Sequence, residues 1–192
     1  MFFFTADEHY GHRNIIKYCD RPFRHVDEMD QALIDRHNEV VGSKDTVVHV
    51  GDFSMAHSRR LVENAYIKRL KGSHIFIRGS HDYWLDQAPI EIDTGQVRDI
   101  WEKGLSLAGK DYYIVACHYA MRTWPRFQYG SWQLYGHSHG KLPGIGKQMD
   151  VGVDTNNFYP YSLGQIIEVL RLQPEAIGNH HKKNDTRKGF SK

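Results

Sequence analysis

Three short apolar runs in the first half of the chain each break off on ionisable side chains. FFFTADEH ends on Asp7 and His9, VVHVGD on Asp52, and HIFIRGSHD on His81 and Asp82. Brief apolar runs bounded by glycine and polar residues read as buried strands. Segments of helical spacing separate them. Residues 12–19 carry Ile15, Ile16 and Cys19 on one face and stop near Pro22. Residues 26–41 align Met29, Leu33 and Val40, with Asp27 as N-cap, Asp30 completing an imperfect capping box, and Gly42 past the end. Residues 59–70 form a third helix, ended by Gly72. Strand, helix and strand in alternation predict a layered α/β fold, largely parallel in its first half.

The second half changes pattern. Residues 105–119 read as a hairpin turning at Gly109, Lys110 and Asp111, its return strand ending on His118. Residues 132–140 read as a strand that breaks at Gly136 and delivers His137 and His139. Residues 149–155 are short and β-like, and 163–172 fit a helix or a last strand. Ligands of open α/β sheets bind beyond the carboxyl ends of the strands, so these side chains are expected to converge there.

Composition narrows the class. With 192 residues, 40% hydrophobic and 25% charged, the chain suits one folded domain over 1–175, and a polar, basic tail over 176–192 is expected to fray. No apolar run reaches membrane-spanning length, and the N-terminus lacks the regions of a secretory signal. Two cysteines, Cys19 and Cys117, make no disulfide framework and point to the cytoplasm. A net charge of +2 argues against binding long nucleic-acid duplexes.

Thirteen histidines are many for this length, and their placement matters more than their number. Asp7, His9, Asp52, His118, His137 and His139 mix carboxylate and imidazole donors, which suits Mn, Fe, Zn, Co or Ni and suits Ca or Mg poorly. Six such groups exceed one tetrahedral site and fit two ions sharing a carboxylate. Two ions in one centre make hydroxide from water and clamp phosphoryl oxygens. His25, His37, His57 and His74 read instead as satisfied polar groups, and His49, inside an apolar strand, as a buried structural one.

The blocks ADEHYGH (6–12), VGDF (50–53), RGSHD (78–82), ACHY (116–119) and YGHSHG (135–140) resemble the signature of the calcineurin-like metallophosphoesterase superfamily, most closely its small stand-alone bacterial and phage members. The stretch 149–163 is similar to the segment that closes that fold. The resemblance implies a four-layer αββα sandwich with two mixed sheets and a dinuclear site at the strand ends. It puts Asp7, His9 and His139 on one metal and His118 and His137 on the other, with Asp52 bridging. It makes His81 the general acid towards the leaving group or the group that stabilises its charge, and Asp82 the group that fixes its tautomer through the other ring nitrogen.

One position departs from the pattern. Ser80 stands where the family has a metal-ligating asparagine, which predicts a weaker or altered second site. Arg13 and Asn14, at a helix start, and Arg122 are candidate phosphate contacts. The aromatic residues of 121–132 are candidates for stacking on a base. The leading expectation is a phosphodiesterase acting through metal-bound hydroxide on a nucleotide-type or other small phosphoester. Three alternatives stay open: a phosphomonoesterase, a nuclease of nucleic-acid ends, and a metal-binding scaffold impaired by Ser80.

Overall fold

A computed structural model describes residues 1–88 and 98–174. The tail expected over 176–192 lies outside the described residues. In chain order the elements are β1 (Phe2–Thr5), α1 (Ile15–Tyr18), α2 (Val26–Val40), β2 (Thr46–Val50), α3 (Arg59–Ala65) and β3 (Ser73–Ile77). There follow β4 (Ile100–Leu107), β5 (Lys110–Cys117), β6 (Trp132–Tyr135), β7 (Gln148–Asp150), β8 (Tyr161–Ser162) and α4 (Leu163–Leu170).

The strands form two mixed four-stranded sheets. The first runs β3-β2-β1-β8, with β1, β2 and β3 parallel and β8 antiparallel to β1. The second runs β4-β5-β6-β7, where β4 and β5 make the antiparallel hairpin and β6 and β7 continue in parallel. Alternation along the strands decides what each face buries. Phe4, Val48, Val50 and Ile77 of the first sheet share one buried cluster with Ile114, Ala116, Leu134 and Met149 of the second. Leu163, Ile166 and Leu170 of α4 join that cluster. On the other face of the first sheet, Phe76 packs with Met29 and Leu33 of α2 and Val62 of α3. Each fully buried apolar side chain in these clusters contributes about 1.5–3 kcal/mol.

Several boundaries differ from the sequence reading. Helix α1 has four residues, and α3 ends at Ala65, where Tyr66 (φ −125°, ψ −66°) turns the chain into a 3₁₀ turn over Ile67–Arg69. Asp27 lies in the first turn of α2, and the N-cap is His25, with no side-chain cap bond. The Asp30 carboxylate faces inward and accepts the Gly11 N–H at 3.1 Å. Strand β4 begins at Ile100, because Trp101 and Leu105 both reach the shared core. Residues 163–170 are a helix, set by a capping box between Ser162 and Gln165. Among the described residues, no helix is long and apolar enough to cross a membrane.

Candidate metal centre

The parallel pairing of β1 and β2 runs on past the strands, with Asp7 N–H donating to the Gly51 carbonyl and His9 N–H to that of Asp52, both at 3.0 Å. This brings two ionisable strand ends together. The approach is close: a Cβ on Gly79 would collide with the Asp52 backbone nitrogen, and one on Gly136 would lie 2.8 Å from Asp7 Oδ2. Glycine at those points lets the loops meet.

Two triads result. Ligand atoms of Asp7, His9 and His139 lie within 4.8 Å of one another, and so do those of Asp52, His118 and His137. Asp52 also reaches the first triad: its Oδ2 lies 3.7 Å from His9 Nε2 and 3.3 Å from His118 Nε2. Five of the six residues have left-handed backbone: Asp7 (φ 58°), His9 (53°), Asp52 (56°), His137 (67°) and His139 (47°). Such conformations cost a non-glycine residue about 1–2 kcal/mol each and cluster where side chains must be aimed.

The ring nitrogens are sorted by their partners. His118 Nδ1 donates to the Val50 carbonyl at 2.9 Å, and His139 Nδ1 to Asp154 Oδ2 at 2.7 Å. His9 Nδ1 lies 3.3 Å from His12 Nδ1. The Nε2 atoms of His9 and His118 are buried without a hydrogen-bond partner. In neutral His118 the Nε2 lone pair faces a carboxylate oxygen, an arrangement that calls for a proton or a cation between them.

Titration follows this geometry. Burial pushes the Asp7 carboxyl up to about 7, against the pull of His139 and His118. Burial also opposes ionisation of Asp52, but the adjacent His118 overrides it and holds the carboxyl well below its usual range. The same pairing lifts His118 to about 9 in spite of its own burial. Burial drives His9 down to about 2, leaving a neutral imidazole, the form in which histidine binds metals.

Ser80 and His81 line the cavity over the triads, together with His12, Ile15, Tyr18, Cys19, Met55 and Lys141. The Ser80 hydroxyl donates to Asp52 Oδ2 at 2.9 Å, and the His81 N–H to Asp52 Oδ1 at 2.8 Å. The His81 ring centroid is 5.5 Å from that of His9.

Asp82 departs from expectation: its carboxylate does not bond the His81 ring. Oδ2 accepts the N–H groups of Asp52 (2.7 Å) and Gly79 (2.9 Å). Oδ1 accepts those of Phe53 (2.9 Å) and Ser54 (3.3 Å) and Trp84 Nε1 (3.0 Å). Five donors leave no capacity for the imidazole, so Asp82 fastens the loop after β2 to the loop after β3. Arg13, Asn14 and Arg122 are exposed and do not line the cavity. Asn14 caps the short α1 through its backbone, and the cation in the cavity wall is Lys141. The aromatic segment 121–132 is mostly packing: Trp124, Phe127 and Trp132 are buried, and Trp124 Nε1 donates to the Ser131 carbonyl. His49 is structural as expected, held between Glu8 Oε1 (2.5 Å) and His74 Nδ1 (3.0 Å).

Two residues of the centre went unnoticed in the sequence. Arg21 is buried and grips Asp154 with two bonds of 2.8 Å, from Nε and Nη2. It also donates to the carbonyls of Asp7 (2.7 Å) and Glu8 (3.0 Å). Asp154 ends a short β-like run, the same signal that marked the other strand ends.

No family model matches the chain. An uncharacterized protein of Methanocaldococcus jannaschii is 29% identical over 175 residues, covering 88% of this chain and 90% of that protein. The crystal structure of a protein of unknown function from Aquifex aeolicus has a similar fold, with a TM-score of 0.62 and 20% identity over 88% of this chain and 98% of that one.

Proposed function

We propose that this chain is a metal-dependent phosphoester hydrolase of the calcineurin-like metallophosphoesterase type, acting on a small phosphodiester such as a nucleotide-type ester. The observation that carries the proposal is the pair of buried imidazole nitrogens, His9 Nε2 and His118 Nε2, one from each triad, that share a single carboxylate oxygen, Asp52 Oδ2, as their charged neighbour at 3.7 and 3.3 Å. Hydrogen-bond partners at Nδ1 of His118 and His139 leave Nε2 as the ligating atom, and mixed imidazole and carboxylate donors fit a divalent transition metal. In this reading Asp7, His9 and His139 hold one ion, His118 and His137 the second, and Asp52 both.

Bound at such a centre, a pair of ions makes water nucleophilic at neutral pH and neutralises charge on the phosphoryl oxygens. The chain's own residues do the rest. His81, in the cavity wall, protonates the leaving oxygen. Its placement follows from its backbone bond to Asp52, and Asp82 acts on it only through the loop. Ile15, Tyr18 and Met55 form an apolar wall for the leaving group, and Lys141 pairs with substrate oxygen. A single Lys or Arg in that wall favours a diester over a more highly charged monoester.

The reading includes a four-layer αββα arrangement. The shared core of the two sheets and the cover of α2 and α3 on the first sheet support three of the layers. The second sheet's outer residue Val115 is covered by Trp124 and Phe127. Activity tests the proposal. Metal-free protein supplied with Mn, Co, Ni or Zn should hydrolyse bis(p-nitrophenyl) phosphate faster than p-nitrophenyl phosphate. Hydrolysis of neither ester with any of the four ions would overturn it.

A further inference from the structure

We infer that Arg21 and Asp154 make the half-site of Asp7, His9 and His139 the one that retains its ion, while the half-site of Asp52, His118 and His137 exchanges its ion with solution. The inference rests on the two-ion reading above and adds an order of filling. Activity then follows the concentration of free divalent metal.

The two half-sites are backed by different chemistry. Behind His139 stands a carboxylate, Asp154, at 2.7 Å. An ionised acceptor at Nδ1 fixes the tautomer and strengthens the imidazole as a ligand. Asp154 is itself immobilised by the two-bond grip of Arg21, which also donates to the carbonyls of Asp7 and Glu8. One buried guanidinium therefore fixes both the histidine's support and the loop that carries Asp7 and His9. Cys19, His139 and Asp154 also lie close enough to form a ligand set. Both Asp154 oxygens are already bonded to Arg21 or His139, which makes Asp154 a support for His139 and not a ligand.

The second half-site lacks this support. His118 Nδ1 rests on a neutral carbonyl, that of Val50. His137 is exposed, and its backbone N–H is bonded to Asp7. The Ser80 hydroxyl donates to Asp52 Oδ2, the oxygen that faces the Nε2 atoms of both His9 and His118. That bond draws on the shared carboxylate, and the short side chain adds no amide oxygen as a further donor.

Calorimetric titration of the metal-free full chain with MnCl₂ tests the order, with circular dichroism verifying the fold of each variant. The parent should bind two ions in steps at least tenfold apart. Asp154→Asn should weaken the tighter step about 10–100-fold and move the weaker step less than threefold. Ser80→Asn should tighten the weaker step alone, and this arm decides the matter if Asp154→Asn does not fold. Two equal steps in the parent, or an Asp154→Asn effect confined to the weaker step, would overturn the order and leave the two-ion reading standing. Failure of the folded parent to bind Mn²⁺ would overturn both.

Discussion

Asp82 offers the sharpest test of how the centre is built. Its two oxygens accept five donors, four of them backbone N–H groups from two loops, and the side chain is buried. Asp82→Asn keeps the shape but turns one oxygen into an NH₂ group. Whichever oxygen is replaced, at least two N–H donors lose their acceptor and face another donor. Leaving a buried donor unmet costs about 1–3 kcal/mol, so the substitution should destabilise the fold by about 2–6 kcal/mol. Urea unfolding followed by fluorescence reports this directly, because Trp84 is buried and bonded to the same carboxylate. A loss below about 1 kcal/mol would show that these donors do not depend on the Asp82 carboxylate. If Asp82 tuned His81 directly, the variant would keep its stability and shift only the pH profile of turnover.

Other consequences separate the roles of neighbouring residues. His81→Ala should lower kcat about 10²–10⁴-fold with metal content unchanged, as elemental analysis can verify. Lys141→Ala should raise KM for a diester about twofold to fivefold, the worth of one exposed charge contact, with kcat preserved in steady-state assays. His37 is buried and bonded to the Lys71 carbonyl, and burial lowers its pKa to about 4. The unfolded chain, titrating near 6.5, then binds more protons at mildly acidic pH. The stability His37 contributes is therefore present above about pH 6.5 and is lost as pH falls towards 4, amounting to about 3 kcal/mol. His37→Gln should flatten that part of the curve in chemical denaturation between pH 4 and 7.

Much of the centre was legible because each candidate ligand ends an apolar run, and parallel strands deliver their ends to one side. Asp7, His9, Asp52, His118, His137 and His139 could be named without knowing how the sheets pack. The partners of Asp82 could not. A buried carboxylate takes the donors its fold supplies, and here four come from two loops about thirty residues apart in sequence. Arg21 beside Pro22 looked like the end of a helix, and its partner Asp154 lies 133 positions away. Arg13 and Arg122 had the right charge for phosphate, but charge says nothing of which way a loop faces. Lys141, two residues past His139, is the lysine that lines the cavity.

The proposed hydrolase requires two ions around Asp52. Anomalous diffraction from a crystal equilibrated with excess MnCl₂ measures this most directly. Two peaks are expected about 3.5–4 Å apart, one among Asp7, His9 and His139 and one among His118, His137 and Asp52. A peak in only one triad, or in neither, with the side chains otherwise as described, would contradict that requirement.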